Sequence, residues 1–140
     1  MAVDLEKLKE DRIKNNAFIR LLGLQITELY EGYCRGVLEL DPARHNNPIG
    51  TTHGGVIFSI CDTLAGTAAT SHGVVVTTLS GAINYLNPAK DCRKLIAEAR
   101  EIKYGKQTSV YQVEVGNEKG EIIAVTTFTF FHLRNLPFPE

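Results

Sequence analysis

The chain has 140 residues, 44% of them hydrophobic and 22% charged, a composition that builds one ordinary domain and excludes disordered and low-complexity classes. Fifteen Lys and Arg against sixteen Asp and Glu leave a formal charge of -1, so no basic face for nucleic acid or an anionic membrane is expected. No apolar run reaches the ~18 residues that span a bilayer, and the charged residues 1–16 lack the apolar stretch of a secretory signal. Cys34, Cys61 and Cys92 are odd in number and without CxxC spacing, which reads as reduced thiols in a single cytoplasmic domain over residues 1–140.

Residues 4–16 pattern as an exposed amphipathic helix, with Leu5, Leu8 and Ile13 on one side and Asp4 as its N-cap. A short apolar turn at 18–22, closed by Gly23, completes an N-terminal helical segment over residues 1–22. Strands are predicted over 24–30 and 34–40, joined at Glu31-Gly32. An irregular stretch through Pro42 and Asn46-Asn47-Pro48 then runs to Gly50. From 53 to 71 the pairs Val56/Ile57, Ile60/Cys61, Leu64/Ala65 and Ala68/Ala69 recur every four residues, a helical period, closed by His72-Gly73.

Residues 74–86, 94–104, 108–115 and 122–133 alternate and are rich in β-branched and aromatic side chains. Turn chemistry separates them at Asn87-Pro88, Gly105-Lys106 and residues 117–120, which predicts an antiparallel meander. The fold class that follows is α+β. A curved antiparallel sheet of five to six strands wraps one long central helix of roughly 28 Å, with an N-terminal helix outside.

Two places on the central helix could carry chemistry. Gly55, Ser59, Asp62 and Gly66 lie along one line, and Asp62 has no basic residue three or four positions away. Such an acid either opens to a cleft, is kept for its reactivity, or is a plain surface carboxylate. At the helix start, Thr52-His53-Gly54-Gly55 places unpaired N–H groups and the positive end of the helix dipole where no Cβ blocks a ligand. That is an oxyanion site or simply a glycine-rich entrance. Gly54 and Asp62 are eight residues apart, about 12 Å along the axis, too far for one reacting carbonyl to touch both. If they act together, the acid comes from a second subunit, in a two-fold dimer with antiparallel helices and two composite sites.

On the strand at 74–86, Thr78, Ser80, Ala82 and Asn84 are expected on one face, able to line a site or to be solvated. Leu79, Ile83 and Tyr85 are expected on the core face. His45, His53, His72 and His132 show no HExxH or HxxxH spacing, so no metal is expected. GxSxG, Walker and GxGxxG motifs are absent, and Cys61 reads as a packing thiol.

Asn47-Pro48-Ile49-Gly50-Thr51-Thr52-His53-Gly54-Gly55 followed by Asp62 resembles the signature of hotdog-fold acyl-CoA thioesterases of the phenylacetate-degradation (PaaI-type) branch. The likeness continues in residues 77–88 (TTLSGAINYLNP), in Tyr104-Gly105-Lys106 and in residues 122–133, covering about 18–133. It implies hydrolysis of acyl-CoA, with aryl-acetyl or medium-chain acyl groups, to free acid and CoA, without metal or cofactor. Gly54 would donate its N–H to the thioester carbonyl, and Asp62 of the partner subunit would act as nucleophile or as general base. Asn47 would place the leaving group or the water, His53 would sit near the thiolate sulfur, and Ser80 would orient the lytic water. Gly55 and Asn84 are expected to line the substrate. Lys106, with Lys90 and Arg93, is the cation expected near the CoA phosphates, surface solvation being the other reading. Two homodimers would pair into a homotetramer. A non-catalytic acyl-CoA-binding module is the alternative, and an enoyl-thioester hydratase fits less well because it wants an Asp/His pair.

Overall fold

Asp4 accepts a hydrogen bond from the Lys7 N–H and opens helix α1 (Leu5–Asn15), and Asn16 accepts from the Ile19 N–H and opens α2 (Ala17–Leu22). Gly23 closes α2 in the left-handed region at φ 86°, where a glycine costs nothing. The computed structural model describes residues 2–137. Strands β1 (Gln25–Tyr30) and β2 (Tyr33–Glu39) follow, then a short helix α3 (Pro42–His45) inside the stretch expected to be irregular. Asp41 caps α3 through the Ala43 N–H, with Pro42 at its first position. The long helix α4 (Gly54–Thr70) precedes β3 (Val74–Tyr85), β4 (Lys94–Tyr104), β5 (Thr108–Asn117) and β6 (Ile122–Asn135).

All six strands form one antiparallel sheet in the order β1-β2-β4-β5-β6-β3. The expected four-stranded meander therefore holds only for β4, β5 and β6. The chain leaving α4 emerges at the far edge of the sheet, where β3 pairs with β6, and residues 86–93 carry it back to place β4 against β2. Backbone bonds from Thr52 N to Ala89 O and from Leu40 N to Arg93 O hold that return loop. Register shifts after Ile26, Val75, Thr78 and Glu101 add local twist, which bends the sheet about the helix.

Ile57, Ile60, Cys61, Leu64, Ala65, Ala68 and Ala69 of α4 are buried against Leu38, Leu95, Ala97, Tyr111, Val113, Phe128 and Phe130 of the sheet. At the C-terminal end of α4 the Ser71 hydroxyl accepts from the Gly32 N–H and donates to the Ala68 carbonyl, fastening the helix to the β1–β2 turn. No basic residue stands in the last turn of α4. The Arg12 guanidinium of α1 supplies the cation there by donating to Thr70 Oγ1. Among the described residues no helix is long and apolar enough to cross a membrane.

How closely helix and sheet approach is set by Gly36 of β2. A Cβ at that position would lie 2.8 Å from Leu64 Cδ2 and 3.1 Å from the Gln25 carbonyl oxygen. Gly36→Ala is expected to cost about 1–3 kcal/mol through overpacking, read as a lower urea midpoint with an unchanged m-value.

Candidate active site

The approach to α4 is built from hydrogen bonds within a short segment. Asn47 Oδ1 accepts from the N–H groups of Ile49 and Thr51, and its Nδ2 donates to Thr51 Oγ1. Buried His45 accepts the Asp41 N–H at Nδ1 and meets the Leu22 carbonyl at Nε2, 2.8 Å away, which fixes the Nε2–H tautomer. The His45 carbonyl accepts from the His53 N–H, so the chain enters the helix on a fixed line.

His53 is the N-cap. Its Nδ1 accepts from the Gly55 N–H at 2.8 Å, and its carbonyl accepts from Val56 and Ile57. Because the His53 carbonyl points down the helix, the other side of the same peptide, the Gly54 N–H, points out of the N-terminus. Among the described residues that N–H has no acceptor. It belongs to a cleft of about 320 Å³ lined by Asn47, Thr51, Gly54, Ile57, Tyr85 and Leu86, among others. The structure thus brings Asn47 and Gly54 together at one opening. The Gly55 N–H, by contrast, is engaged by His53 and is not a free donor.

Asp62 lies two turns further along α4, half-buried, and is not part of that cleft. Its Oδ1 accepts from the Thr78 hydroxyl at 2.7 Å. Thr78 reaches α4, yet Gly81 also faces it, since a Cβ on Gly81 would lie 2.9 Å from Phe58 Cζ. Strict alternation would put positions 78 and 81 on opposite faces. The register shift between Thr78 and Ser80 explains the difference, because Leu79 has no partner on β6 and reverses the phase. The expectation that Thr78, Ser80, Ala82 and Asn84 share one face is corrected accordingly. Thr78 faces the helix, while Ser80, Ala82 and Asn84 alternate to the other face of the sheet. Leu79 and Tyr85, expected in the core, are 57% and 50% exposed.

Lys106 stands exposed in the turn between β4 and β5. That turn lies at the C-terminal end of α4, where Tyr104 stacks on His72 at 3.8 Å. Within one chain it is therefore about a helix length, roughly 25 Å, from Gly54. Burial pushes the Cys61 thiol up to about 12, so it packs as a neutral group and offers no thiolate. Two residues of the neighbourhood escaped the sequence reading, Thr78 as the partner of Asp62 and Tyr85, whose hydroxyl donates to the Gly54 carbonyl at 2.7 Å. A threonine 16 positions after the acid was visible, but nothing in the local sequence marks the register shift that turns it inward.

Residues 49–124 match the family described as the thioesterase superfamily. A putative esterase of Archaeoglobus fulgidus is 34% identical over 96% of this chain and 86% of its own length. The acyl-coenzyme A thioesterase PaaI of Escherichia coli is 30% identical over 80% of this chain and 79% of its own length. The solved structure of E. coli PaaI superposes with a TM-score of 0.89 at 25% identity, over 94% of this chain and 95% of that one. A Streptococcus mutans protein, smu.793, solved bound to acetyl CoA, gives a TM-score of 0.78 at 30% identity, over 81% and 91% of the two chains. The chain belongs to the thioesterase superfamily, and the curved sheet around α4 is the hotdog fold of the PaaI-type structures that the sequence resembles.

Asn47→Ala removes the acceptor of two loop N–H groups and a donor to Thr51. It is expected to speed amide hydrogen exchange at Ile49 and Thr51, at a cost of about 1–3 kcal/mol, while the amides of β4 and β5 keep their protection.

Proposed function

We propose that this thioesterase-superfamily chain hydrolyses acyl-CoA thioesters, each site being completed by a second copy of the chain. The observation that carries the reading is the outward Gly54 N–H, the one first-turn donor of α4 without an acceptor among the described residues, opening on a cleft beside the dipole's positive end. A thioester carbonyl seated there accepts from Gly54. As the tetrahedral intermediate forms, the developing negative charge on its oxygen strengthens that bond. The attack comes either from water, which gives a proton to Asp62 of the partner subunit, or from the Asp62 carboxylate itself. The tetrahedral intermediate expels the CoA thiolate, and in the second case water then hydrolyses the anhydride formed on Asp62, so both routes end in free acid, CoA and a regenerated carboxylate. Thr78 holds the carboxylate in one orientation by donating to Oδ1, which leaves the other oxygen for the reaction. Acyl-CoA as substrate is supported by the named activity of E. coli PaaI and by the acetyl CoA held in the S. mutans protein.

The trans arrangement is supported by the separation of the two groups on α4 and by the sheet edge. Among the described residues, strand β3 pairs only with β6. Its outer edge is twelve residues long and carries exposed Leu79 and Tyr85, continued by exposed Leu86. An uncovered apolar edge of that length invites another strand. Pairing β3 with its own copy about a two-fold axis sets the two α4 helices antiparallel. The Gly54 end of one helix then lies towards Asp62 of the partner subunit, and the distant Lys106 lies nearer the opposite site. Ser80 and Asn84, on the outer face, fit an assembly surface between two such dimers better than the reaction centre.

Asp62→Asn tests the chemistry. Free-thiol release across a panel of aryl-acetyl and medium-chain acyl-CoAs should fall by roughly 10²–10⁴ while acyl-CoA binding persists. Equal turnover in the variant would remove Asp62 from the mechanism, and wild type that binds without cleaving would establish the non-catalytic module instead. A complementation experiment tests the assembly. Asp62→Asn and Gly54→Ala chains, each inactive alone, should regain activity when unfolded and refolded together, since a mixed dimer holds one intact composite site. No recovery despite mixed-dimer formation would place donor and acid in one chain.

A further inference from the structure

The two adjacent glycines at the head of α4 pose a mechanical difficulty. They clear space for a ligand, but a Gly-Gly step is the softest backbone a chain can offer. An oxyanion donor works only if it is already aimed when charge develops. Something outside the glycines must stiffen the first turn. Rotation of the 54–55 peptide is blocked at both ends, because its carbonyl accepts from the Tyr85 hydroxyl at 2.7 Å and its N–H donates to His53 Nδ1 at 2.8 Å.

We infer that Tyr85 is a positioning residue for the oxyanion donor, its hydroxyl locking the 54–55 peptide so that the neighbouring Gly54 N–H stays aimed into the cleft. The inference rests on the thioesterase reading above. The phenol is itself well anchored. Tyr85 is paired with Ala124 of β6, the Leu86 N–H donates to the Ile123 carbonyl, and Asn87 Nδ2 donates to the Ile122 carbonyl. Burial raises the pKa of the Tyr85 phenol above its ordinary value, so it stays protonated and donates throughout the neutral range. The ring has a second effect. A Cβ on residue 54 would lie 2.9 Å from both Cζ and Oη of Tyr85, so only glycine at 54 lets the hydroxyl reach the carbonyl. Chained bonds from Tyr85 through the 54–55 peptide to His53 also polarise one another.

Tyr85→Phe keeps the ring and deletes only the hydroxyl. In steady-state thiol release kcat should fall about tenfold, the loss expected for one hydrogen bond acting in the transition state, with KM changed less than about twofold. A role confined to folding would not give that split, and the melting temperature should stay close to wild type. Infrared difference spectra supply a second readout in the Asp62→Asn background, where acyl-CoA is bound but not cleaved. There the thioester carbonyl band, lowered by the Gly54 N–H, should shift up and broaden in Asp62→Asn/Tyr85→Phe. Unchanged kcat in Tyr85→Phe beside an active wild type, or an unmoved carbonyl band, would overturn the assignment while leaving the thioesterase reading intact. If wild type releases no thiol from any acyl-CoA, the hydrolase reading fails, and the carbonyl band of bound ligand still decides whether Tyr85 aims the donor. Wild type that neither binds nor cleaves acyl-CoA overturns both.

Discussion

A helix buried along most of its length cannot leave its terminal peptide groups to water, and that requirement shapes both ends of α4. At the C-terminal end the helix is closed by Ser71, by the Thr70 hydroxyl on the Gly66 carbonyl, and by Arg12 brought in from α1. At the N-terminal end His53 satisfies the N–H groups of Gly55, Val56 and Ile57. An unsatisfied buried amide would cost about 1–3 kcal/mol, so a free donor is tolerable only where it opens to a cleft. Gly54 is in that position. The proposed site is therefore the one first-turn donor of α4 left without a partner among the described residues, and its availability to a ligand and its exposure have the same origin.

The closeness of helix and sheet extends this constraint. Gly36 lets β2 approach Leu64, and Gly81 lets β3 approach Phe58 and Phe128. Both glycines sit where a methyl group would push α4 off the sheet. A displacement there would carry Asp62 away from Thr78, because the acid and the threonine belong to the two elements that Gly81 holds together. Packing deep in the concave face and the orientation of a carboxylate at its rim are thus one mechanical system. A core variant can alter the site without touching it.

Much of this architecture was legible in the sequence because the signals are local. Asp4, Asn16 and Gly23 announce their caps, the four-residue recurrence of apolar pairs announces α4, and the small-residue approach to Gly54 announces a helix entrance. The His-Gly-Gly segment and Asp62 stood out for the same reason, since a helix phase and a dipole can be computed from spacing alone. The non-local facts were not legible. Nothing in residues 74–85 says that they pair with β6 and not β4, because the choice depends on where α4 releases the chain. The unpaired Leu79 inverts the strand's phase, and a period-two reading then misassigns every residue on one side of it. Thr78 was therefore grouped with Ser80, Ala82 and Asn84, although it faces the helix and they do not. Tyr85 was expected in the core and is instead half exposed, its hydroxyl reaching a carbonyl 31 positions earlier, a relation no periodicity encodes.

These two kinds of feature correspond to two degrees of rigidity. The donor is fixed entirely within one chain, by His53 behind it and Tyr85 beside it. Asp62 is also held by its own chain, through Thr78 of β3, the strand whose outer edge is unpaired among the described residues. Each half of the proposed site is therefore preorganised before any partner arrives, and association has only to bring two finished halves to the right separation. Orienting a flexible carboxylate and a soft Gly-Gly turn at the moment of assembly would cost conformational entropy at both places. Doing so during folding moves that cost onto the core, where burial of α4 already outweighs it. On the proposed reading, one donor and one acid then suffice because a thioester carbonyl is weakly stabilised by resonance and correspondingly easy to attack.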